Sequence, residues 1–287
     1  MRPRGFTLIE LLVVTGIIGL LLGLSVVVLR ASRERARAVV CASNVRQLLL
    51  GLSFYDSENG TLPFGFELPG LKSPPSSRYA GFAATLDLVG FWWFDRSQQV
   101  DHLTMDGLDV LMCPSKRQGD PKLDLDILCG NYGANLSICR VNGYLKPYTS
   151  DFRGKPLSLA QIRRPGETLL LVDSGYALIS WWHAAQEPPV QIPSNVMTVG
   201  GLQHAAYVPG MSINQNKALW QGQTEDALGG RHPGKTVNIG FADGSVASRN
   251  ADDLLIEKPG DQLWSSNPRW LPGCSPIPAV TPLPAAP

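Results

Sequence analysis

A long apolar run near the N-terminus is the feature that most constrains this chain. Of the 24 residues at positions 6–29, 17 are apolar and Glu10 is the only charged one. As a helix rising 1.5 Å per residue, the run would be about 36 Å long, enough to cross a hydrocarbon core of about 30 Å. The sequence therefore predicts a single tilted membrane-spanning helix.

A cleaved secretory signal peptide is the alternative interpretation of this segment. The apolar part of a signal peptide runs only about 7–15 residues and ends at a small-residue cleavage site. The nearest such string, residues 36–38, lies behind several arginines and beyond the apolar run. A retained anchor is therefore the favoured interpretation.

Charge divides the sequence into a basic stem and a mildly acidic remainder. Residues 1–57 have a net charge of +4, whereas residues 58–287 have a net charge of −3. Arginines flank the apolar run on both sides, so the positive-inside rule does not fix its orientation. We expect the arginines that follow the run to contact anionic lipid headgroups or acidic residues of neighbouring subunits. Because no basic groove is interleaved with aromatic residues, nucleic-acid binding is disfavoured.

Glu10 is a carboxylate placed one turn inside the apolar run. An ionisable group there is costly to bury and by default marks a functional position. If the chain were cut after Gly5, the new ammonium at Phe6 of a neighbouring helix would neutralise Glu10. Assembly of helices side by side would then offset the burial cost of both charges.

The string RGFTLIELLVV at residues 4–14 resembles the processing site of type IV prepilins and type II secretion pseudopilins. The resemblance implies that a prepilin peptidase cuts after Gly5 and N-methylates Phe6, and that Glu10 guides subunit docking. It also implies a pilin-like fold, other pseudopilin subunits and an inner-membrane secretion platform as partners. The expected location is the inner membrane, with the leader cytoplasmic and the body periplasmic.

Beyond the apolar run, apolar residues recur at three- and four-residue steps from Ala38 to Tyr55. This spacing predicts that the helix continues amphipathically to about Ser57, where Asn59-Gly60 supplies a stop signal. Residues 168–172 and 236–242 have strand patterns. Asp243-Gly244 predicts a two-residue hairpin turn in which both residues have positive φ. The expected fold is α+β and pilin-like, with the long helix packed on an antiparallel sheet with long loops.

These patterns predict five segments. Residues 1–5 form a leader, 6–29 a transmembrane helix and 30–57 its amphipathic continuation. Residues 58–264 form a β-rich body outside the cytoplasm. Residues 265–287 are rich in proline and predict an extended or disordered tail.

Scattered blocks of the body resemble a bacterial pseudopilin-like family of unassigned function. They are CASNVRQL at residues 41–48, CPS at 113–115 and FADGSV at 241–246. That family ends in a His followed by nine residues and Asp-Gly, whereas here ten residues separate His232 from Asp243-Gly244. The resemblance implies no chemistry for this block.

The chain has five cysteines, and a compartment outside the cytoplasm favours disulfides. Cys113, Cys129 and Cys139 lie close enough in sequence for a local disulfide, although connectivity cannot be read from spacing. An odd total leaves one thiol unpaired. Because no C-x-x-C pair occurs, no zinc site is expected.

Two other candidate sites depend on weaker patterns. His232 and Asp243 could form a metal or catalytic pair, but a turn residue and a loop residue explain them better. Asp252, Asp253 and Glu257 are hard oxygen ligands that would suit calcium, although three acids in six residues are also common on surfaces. We expect no other cofactor.

The sequence contains no nucleophile elbow, dinucleotide-binding fingerprint or H-E-x-x-H string, so we expect no enzymatic activity. Two tryptophan pairs, at residues 92–93 and 181–182, fit either an exposed binding platform or the core, and the core is favoured. The predicted function is a structural pilin-like subunit. The alternatives are a membrane-tethered protein that binds a glycan or surface ligand without polymerising, and a hydrolase using His232 and Asp243.

Overall fold

The computed structural model describes residues 7–67, 91–97, 108–117, 128, 130–142, 152–186, 196–199, 202–217, 219, 221–258 and 268–273. The secondary structure in these ranges comprises three α-helices, ten strands and several short 3-10 helices. The α-helices are α1 Leu8–Asn59, α2 Trp93–Ser97 and α3 Thr224–Gly229. The strands are β1 Phe66–Glu67, β2 Phe91–Trp92, β3 Tyr132–Asn135, β4 Val141–Asn142, β5 Leu169–Asp173, β6 Leu178–Ile179, β7 Val196–Val199, β8 Leu202–Ala205, β9 Thr236–Phe241 and β10 Val246–Asn250.

Helix α1 is continuous over 52 residues, as the sequence predicts. It ends at Gly60, which adopts the left-handed conformation (φ 70°) and donates its N–H to the carbonyl of Asp56 at 2.7 Å. Glycine is the usual residue at this position because it has no Cβ to clash. Among the described residues, α1 is the one helix long and apolar enough to cross a membrane.

A five-stranded sheet in the order β10-β9-β5-β3-β6 forms the centre of the body. Its first three pairings are antiparallel, and β3 pairs with β6 in parallel. This architecture confirms the α+β pilin-like fold and adds one parallel pair to the expected antiparallel sheet. The parallel pair arises because the chain crosses from β5 over β3 before forming β6.

The outer half of α1 packs on this sheet. The predicted apolar stripe faces inward, and its fully or nearly fully buried members are Cys41, Val45, Leu48, Leu49 and Leu52. Gly240 of strand β9 lies close to α1, and a Cβ added there would lie 2.8 Å from side-chain atoms of Val45 and Leu49. Glycine at this position therefore allows the close approach of helix and sheet.

The hairpin between β9 and β10 differs from the predicted two-residue turn. Gly244 donates to the carbonyl of Phe241 at 3.0 Å, and Phe241 donates to that of Ser245 at 2.9 Å. Gly244 has φ 84°, whereas Asp243 is not in the left-handed region. The loop is thus longer, with the left-handed residue at its end, which is the common arrangement after a type I turn.

Part of the predicted proline-rich tail packs against the body. Trp270 is fully buried, and its indole N–H donates to the carbonyl of Leu254 at 3.0 Å. The carbonyl of Trp270 accepts from the Asn135 side chain at 2.8 Å. The core therefore extends to residues 268–273, beyond the expected end of the body at residue 264.

Candidate functional site

Helix α1 begins with a reciprocal capping box. The Glu10 carboxylate accepts hydrogen bonds from the backbone N–H and the hydroxyl of Thr7, both at 2.8 Å. The Thr7 hydroxyl in turn accepts from the backbone N–H of Glu10 at 3.3 Å. This pattern satisfies donors that would otherwise be orphaned at the helix start. Glu10 therefore has a local role within its own chain.

The described residues that follow the predicted cleavage site are exposed. Gly5 and Phe6 lie outside the described residues, while Glu10 is exposed in the first turn of α1. The apolar side chains that follow are exposed as well, from 45% at Val14 to 78% at Leu8. Such a surface requires lipid or other helices around it.

The Cys41–Cys113 disulfide joins α1 to the body. It closes a sequence separation of 72 residues, with the two Cα atoms 5.4 Å apart. This pairing corrects the predicted local disulfide among Cys113, Cys129 and Cys139, because the folded helix brings Cys41 against Cys113. Cys139 is a buried free thiol whose pKa is raised to about 12 by burial, and Cys129 lies outside the described residues.

His232 is buried beside Asp173, at the end of β5. Its Nε2 lies 3.1 Å from the Asp173 Oδ2, which also accepts the backbone N–H of Asn238 at 2.7 Å. The Asn238 side-chain nitrogen lies 3.1 Å from the same Nε2. His232 is thus held by Asp173, whereas sequence reasoning had considered Asp243 as its partner.

Asp243 instead stabilises the β9–β10 hairpin. Its Oδ1 accepts from the Ser245 N–H at 2.8 Å and from the Ser245 hydroxyl at 2.6 Å. The carboxylate is exposed, as expected for a turn residue. Gly244 completes the same turn.

The acids considered as calcium ligands lie around a 3-10 helix, Ala251–Leu254. Asp252 Oδ1 accepts the Ser212 N–H at 2.7 Å and so connects two loops. Asp253 is half-buried and Glu257 is exposed. Calcium binding here stays a prediction.

Arg231 and Asp226 form a fully buried ion pair next to His232. The guanidinium is bidentate, with Nη2 2.7 Å and Nε 3.1 Å from the two carboxylate oxygens. Its remaining donors reach the carbonyls of Asn131 at 2.7 Å and Ser174 at 3.1 Å. Burial acts to lower the pKa of Arg231, but the Asp226 and Asp173 carboxylates act together against it and the pKa is raised. The guanidinium therefore stays charged.

Both tryptophan pairs lie in the core. Trp92 and Trp93 are 1% and 0% exposed, and Trp181 and Trp182 are 8% and 5% exposed. Trp93 donates its indole N–H to the carbonyl of Ala177 at 2.9 Å. These four residues therefore do not form an exposed aromatic platform, so the glycan-binding alternative loses the aromatic pairs and rests on the long loops alone.

Residues 229–236, GGRHPGKT, have the G-x-x-x-x-G-K-T spacing of a phosphate-binding P-loop, which sequence reasoning overlooked. A P-loop follows a strand and opens a helix, so that backbone N–H groups at the helix start cradle the phosphates. Here the string follows helix α3 and leads into strand β9, and His232 at its centre is buried. This context does not support nucleotide binding.

A family model decides how the N-terminal segment is interpreted. It is described as the prokaryotic N-terminal methylation motif, and it matches residues 1–26. The chain carries a prepilin-type N-terminus. The motif implies processing by a prepilin peptidase and assembly with other pilin subunits. Together with the exposed apolar start of α1, it supports membrane anchoring. No curated protein and no solved structure matches the chain significantly.

Sequence reasoning also missed three side-chain arrangements. The capping box was visible as Thr7 three residues before Glu10, the T-x-x-E signature. Asp173 carried a weaker signal, because a carboxylate ending the run LLLVD is unexpected in a buried strand. The pairing of Arg231 with Asp226 had no signal beyond their five-residue separation.

Proposed function

We propose that this protein is a pseudopilin or pilin-like structural subunit. After processing at Gly5, it assembles through helix α1 into a filament of a type II secretion or type IV pilus-like machine. The observation that carries the proposal is the methylation motif at the start of a helix whose first half is exposed. In a membrane that surface faces lipid, and in a filament it faces the helices of other subunits.

The exposed apolar surface continues past the membrane segment. Val40, Leu50 and Phe54 are 49%, 52% and 68% exposed. At 3.6 residues per turn they lie on the face opposite the buried stripe formed by Cys41, Val45 and the residues that follow. A helix that only anchored the body would need no apolar residues on this face. Their position supports contacts between subunits outside the membrane.

Glu10 is proposed to align each incoming subunit. In the single chain its carboxylate caps its own helix through Thr7, and it remains exposed. After cleavage, the ammonium of Phe6 in a neighbouring subunit supplies the positive partner that a carboxylate in an apolar environment requires. Docking thus adds an intersubunit partner to a carboxylate already oriented by the capping box.

The orientation follows from the same proposal. The leader faces the cytoplasm, α1 crosses the inner membrane and the body lies in the periplasm beside an inner-membrane secretion platform. The Cys41–Cys113 disulfide supports this placement, because disulfides persist in oxidising compartments and are rare in the cytosol. The proposed role is structural, without enzymatic activity.

Intact mass of the membrane-extracted protein tests the processing step. Co-expression with a prepilin peptidase should yield a chain that starts at N-methylated Phe6. A Gly5→Leu variant should keep Met1 under the same conditions. A chain that retains residues 1–5 in the presence of active peptidase would contradict the proposal.

Two matched variants separate the docking role of Glu10 from its capping role. Glu10→Gln keeps an acceptor for Thr7 but removes the charge, whereas Thr7→Ala removes the capping box but keeps the charge. We expect both to be processed, and filament incorporation measured by crosslinking to fall only for Glu10→Gln. Normal incorporation of Glu10→Gln would refute the docking role.

A further inference from the structure

The disulfide between α1 and the body has a third potential ligand beside it. Cys41, Cys113 and His232 each offer a ligand atom, and these atoms all lie within 4.8 Å of one another. Three separate elements supply them: α1, the segment after the 3-10 helix Leu108–Leu111, and the residue before the 3-10 helix Pro233–Lys235. All three side chains are buried, with at most 3% of each residue exposed.

The contacts of the His232 imidazole leave one of its ring nitrogens without a partner. The Asp173 carboxylate can only accept, so Nε2 donates in the 3.1 Å contact between them, and the Asn238 amide 3.1 Å from the same Nε2 then turns its oxygen toward the ring. Nδ1 then holds a lone pair, and it is buried with no hydrogen-bond partner among the described residues. A carboxylate that fixes the tautomer of a ligating histidine is the usual outer-shell arrangement at metal sites. An orphaned buried nitrogen is otherwise costly.

We propose that Cys41, Cys113 and His232 form a zinc site when the disulfide is reduced. In a tetrahedral centre, Zn–S bonds of about 2.3 Å and Zn–N bonds of about 2.0 Å place the ligand atoms roughly 3.4–3.8 Å apart. The ligand atoms already lie within 4.8 Å of one another, so side-chain movements can bring them to this geometry once the S–S bond is gone.

The charge balance selects the class of cation. Two thiolates and one neutral imidazole cancel the charge of Zn²⁺, so the loaded cluster is neutral as a buried site requires. Two sulfur ligands also favour soft or borderline cations over magnesium or calcium. The fourth position that zinc prefers is left to water.

Reduction and metal binding are two successive steps, and each balances in electrons and protons. A dithiol reductant supplies two electrons and two protons, breaks the S–S bond and becomes a disulfide itself. Cys41 and Cys113 then carry thiols. Zn²⁺ binding releases both thiol protons to solvent and forms two Zn–S bonds and one bond to His232 Nδ1.

Zinc content of the full chain in detergent tests the proposal. One sample is reduced anaerobically with dithiothreitol and desalted, and a second is left oxidised. Each receives Zn²⁺, is gel-filtered and is analysed by atomic emission. We expect about one zinc per reduced chain and almost none per oxidised chain, since the disulfide removes two of three ligands. A reduced, folded protein that retains no zinc would overturn the site.

Variants separate this site from adventitious binding. Cys139→Ala removes the buried thiol outside the cluster and should retain zinc, whereas the double variant Cys41→Ser/Cys113→Ser should not. His232→Ala should weaken zinc binding at least ~10-fold. Affinity unchanged in a folded His232→Ala protein would contradict the proposal.

X-ray absorption of the wild-type protein provides a readout that needs no variant. The zinc spectrum should show two sulfur ligands near ~2.3 Å and a nitrogen near ~2.0 Å. Coordination by oxygen and nitrogen alone would place the metal elsewhere and refute the site, even if His232→Ala fails to fold.

Discussion

Helix α1 has two halves with opposite surroundings. From Leu8 to Leu29 its described apolar side chains are exposed, whereas from Cys41 to Leu52 it presents a buried stripe to the sheet. The hydrogen-bonded backbone continues across both halves, so the difference lies entirely in which side chains find a partner within the chain. The inner half is thus left for lipid or other subunits, while the outer half stabilises the body.

The buried ion pair of the body should show the largest effect. Asp226→Asn removes a charge from the bidentate partner of Arg231, and breaking a buried pair costs about 3–5 kcal/mol. Thermal or urea unfolding of the body measures this loss. The more exposed pair Glu34–Arg37, at 3.1 Å, is the control. Glu34 also lies 3.8 Å from Arg117, and Glu34→Gln should still cost less than about 1 kcal/mol because all three side chains contact solvent. Equal losses of stability for the two substitutions would contradict the expected difference between the buried and the exposed ion pair.

The disulfide should contribute nearly as much to the body. A crosslink over 72 residues restricts the unfolded chain and stabilises the fold by about 4 kcal/mol in the chain-entropy model. We expect the Cys41→Ser/Cys113→Ser variant to lower the denaturant midpoint accordingly. Wild-type protein unfolded with a reducing agent should show the same midpoint as the variant. An unchanged midpoint would mean that packing alone holds α1 on the sheet.

Gly240→Ala should push α1 away from the sheet and lower the free energy of unfolding by less than loss of the disulfide does. The added Cβ meets Val45 and Leu49 at 2.8 Å, and overpacking of this kind costs about 1–3 kcal/mol. Gly229→Ala is the matched control, because nothing lies within 4 Å of its added Cβ. Thermal unfolding should place Gly240→Ala below Gly229→Ala. The reverse order would show that the helix can shift to accommodate the methyl group.

His183 should make the stability of the body depend on pH. Burial, and then the charge of Lys217, lowers the pKa of His183 to about 3. The unfolded state therefore binds more protons as the pH falls below 6.5, and stability decreases toward pH 3. At pH 5.5 the contribution of His183 to the loss relative to pH 8 is about 1 kcal/mol. His183→Asn should lose less stability than the wild type between pH 8 and pH 5.5 when unfolding is measured at both pH values. An identical pH dependence of the two proteins would refute the role of His183.

Removal of residues 1–37 should have the smallest effect. Because the described side chains of this segment are almost all exposed, the free energy of unfolding of the body should change by less than about 0.5 kcal/mol. Chemical denaturation of the shortened chain measures this directly. A large loss of stability would show that the inner half also supports the body.

The sequence predicted the features that local patterns encode. The apolar run and the three- and four-residue spacing predicted α1 and its buried face, and the strands at Leu169–Asp173 and Thr236–Phe241 followed from their own patterns. Features that depend on distant contacts were missed. Cys113 pairs with Cys41 rather than a near neighbour, and Asp173 rather than Asp243 holds His232. Spacing cannot reveal such pairs, because the fold that brings them together is set by the whole core.

The disulfide also determines how mechanical force would pass through the molecule. At 1.5 Å per residue, α1 is a rod of about 78 Å, and the body is covalently fixed to it at Cys41 as well as at its outer end. A pull on the segment around Cys113 therefore reaches the rod through the S–S bond, without loading the turn at Gly60. Tension applied near Cys113 is therefore transmitted to α1 at Cys41, while the sheet remains packed on the helix.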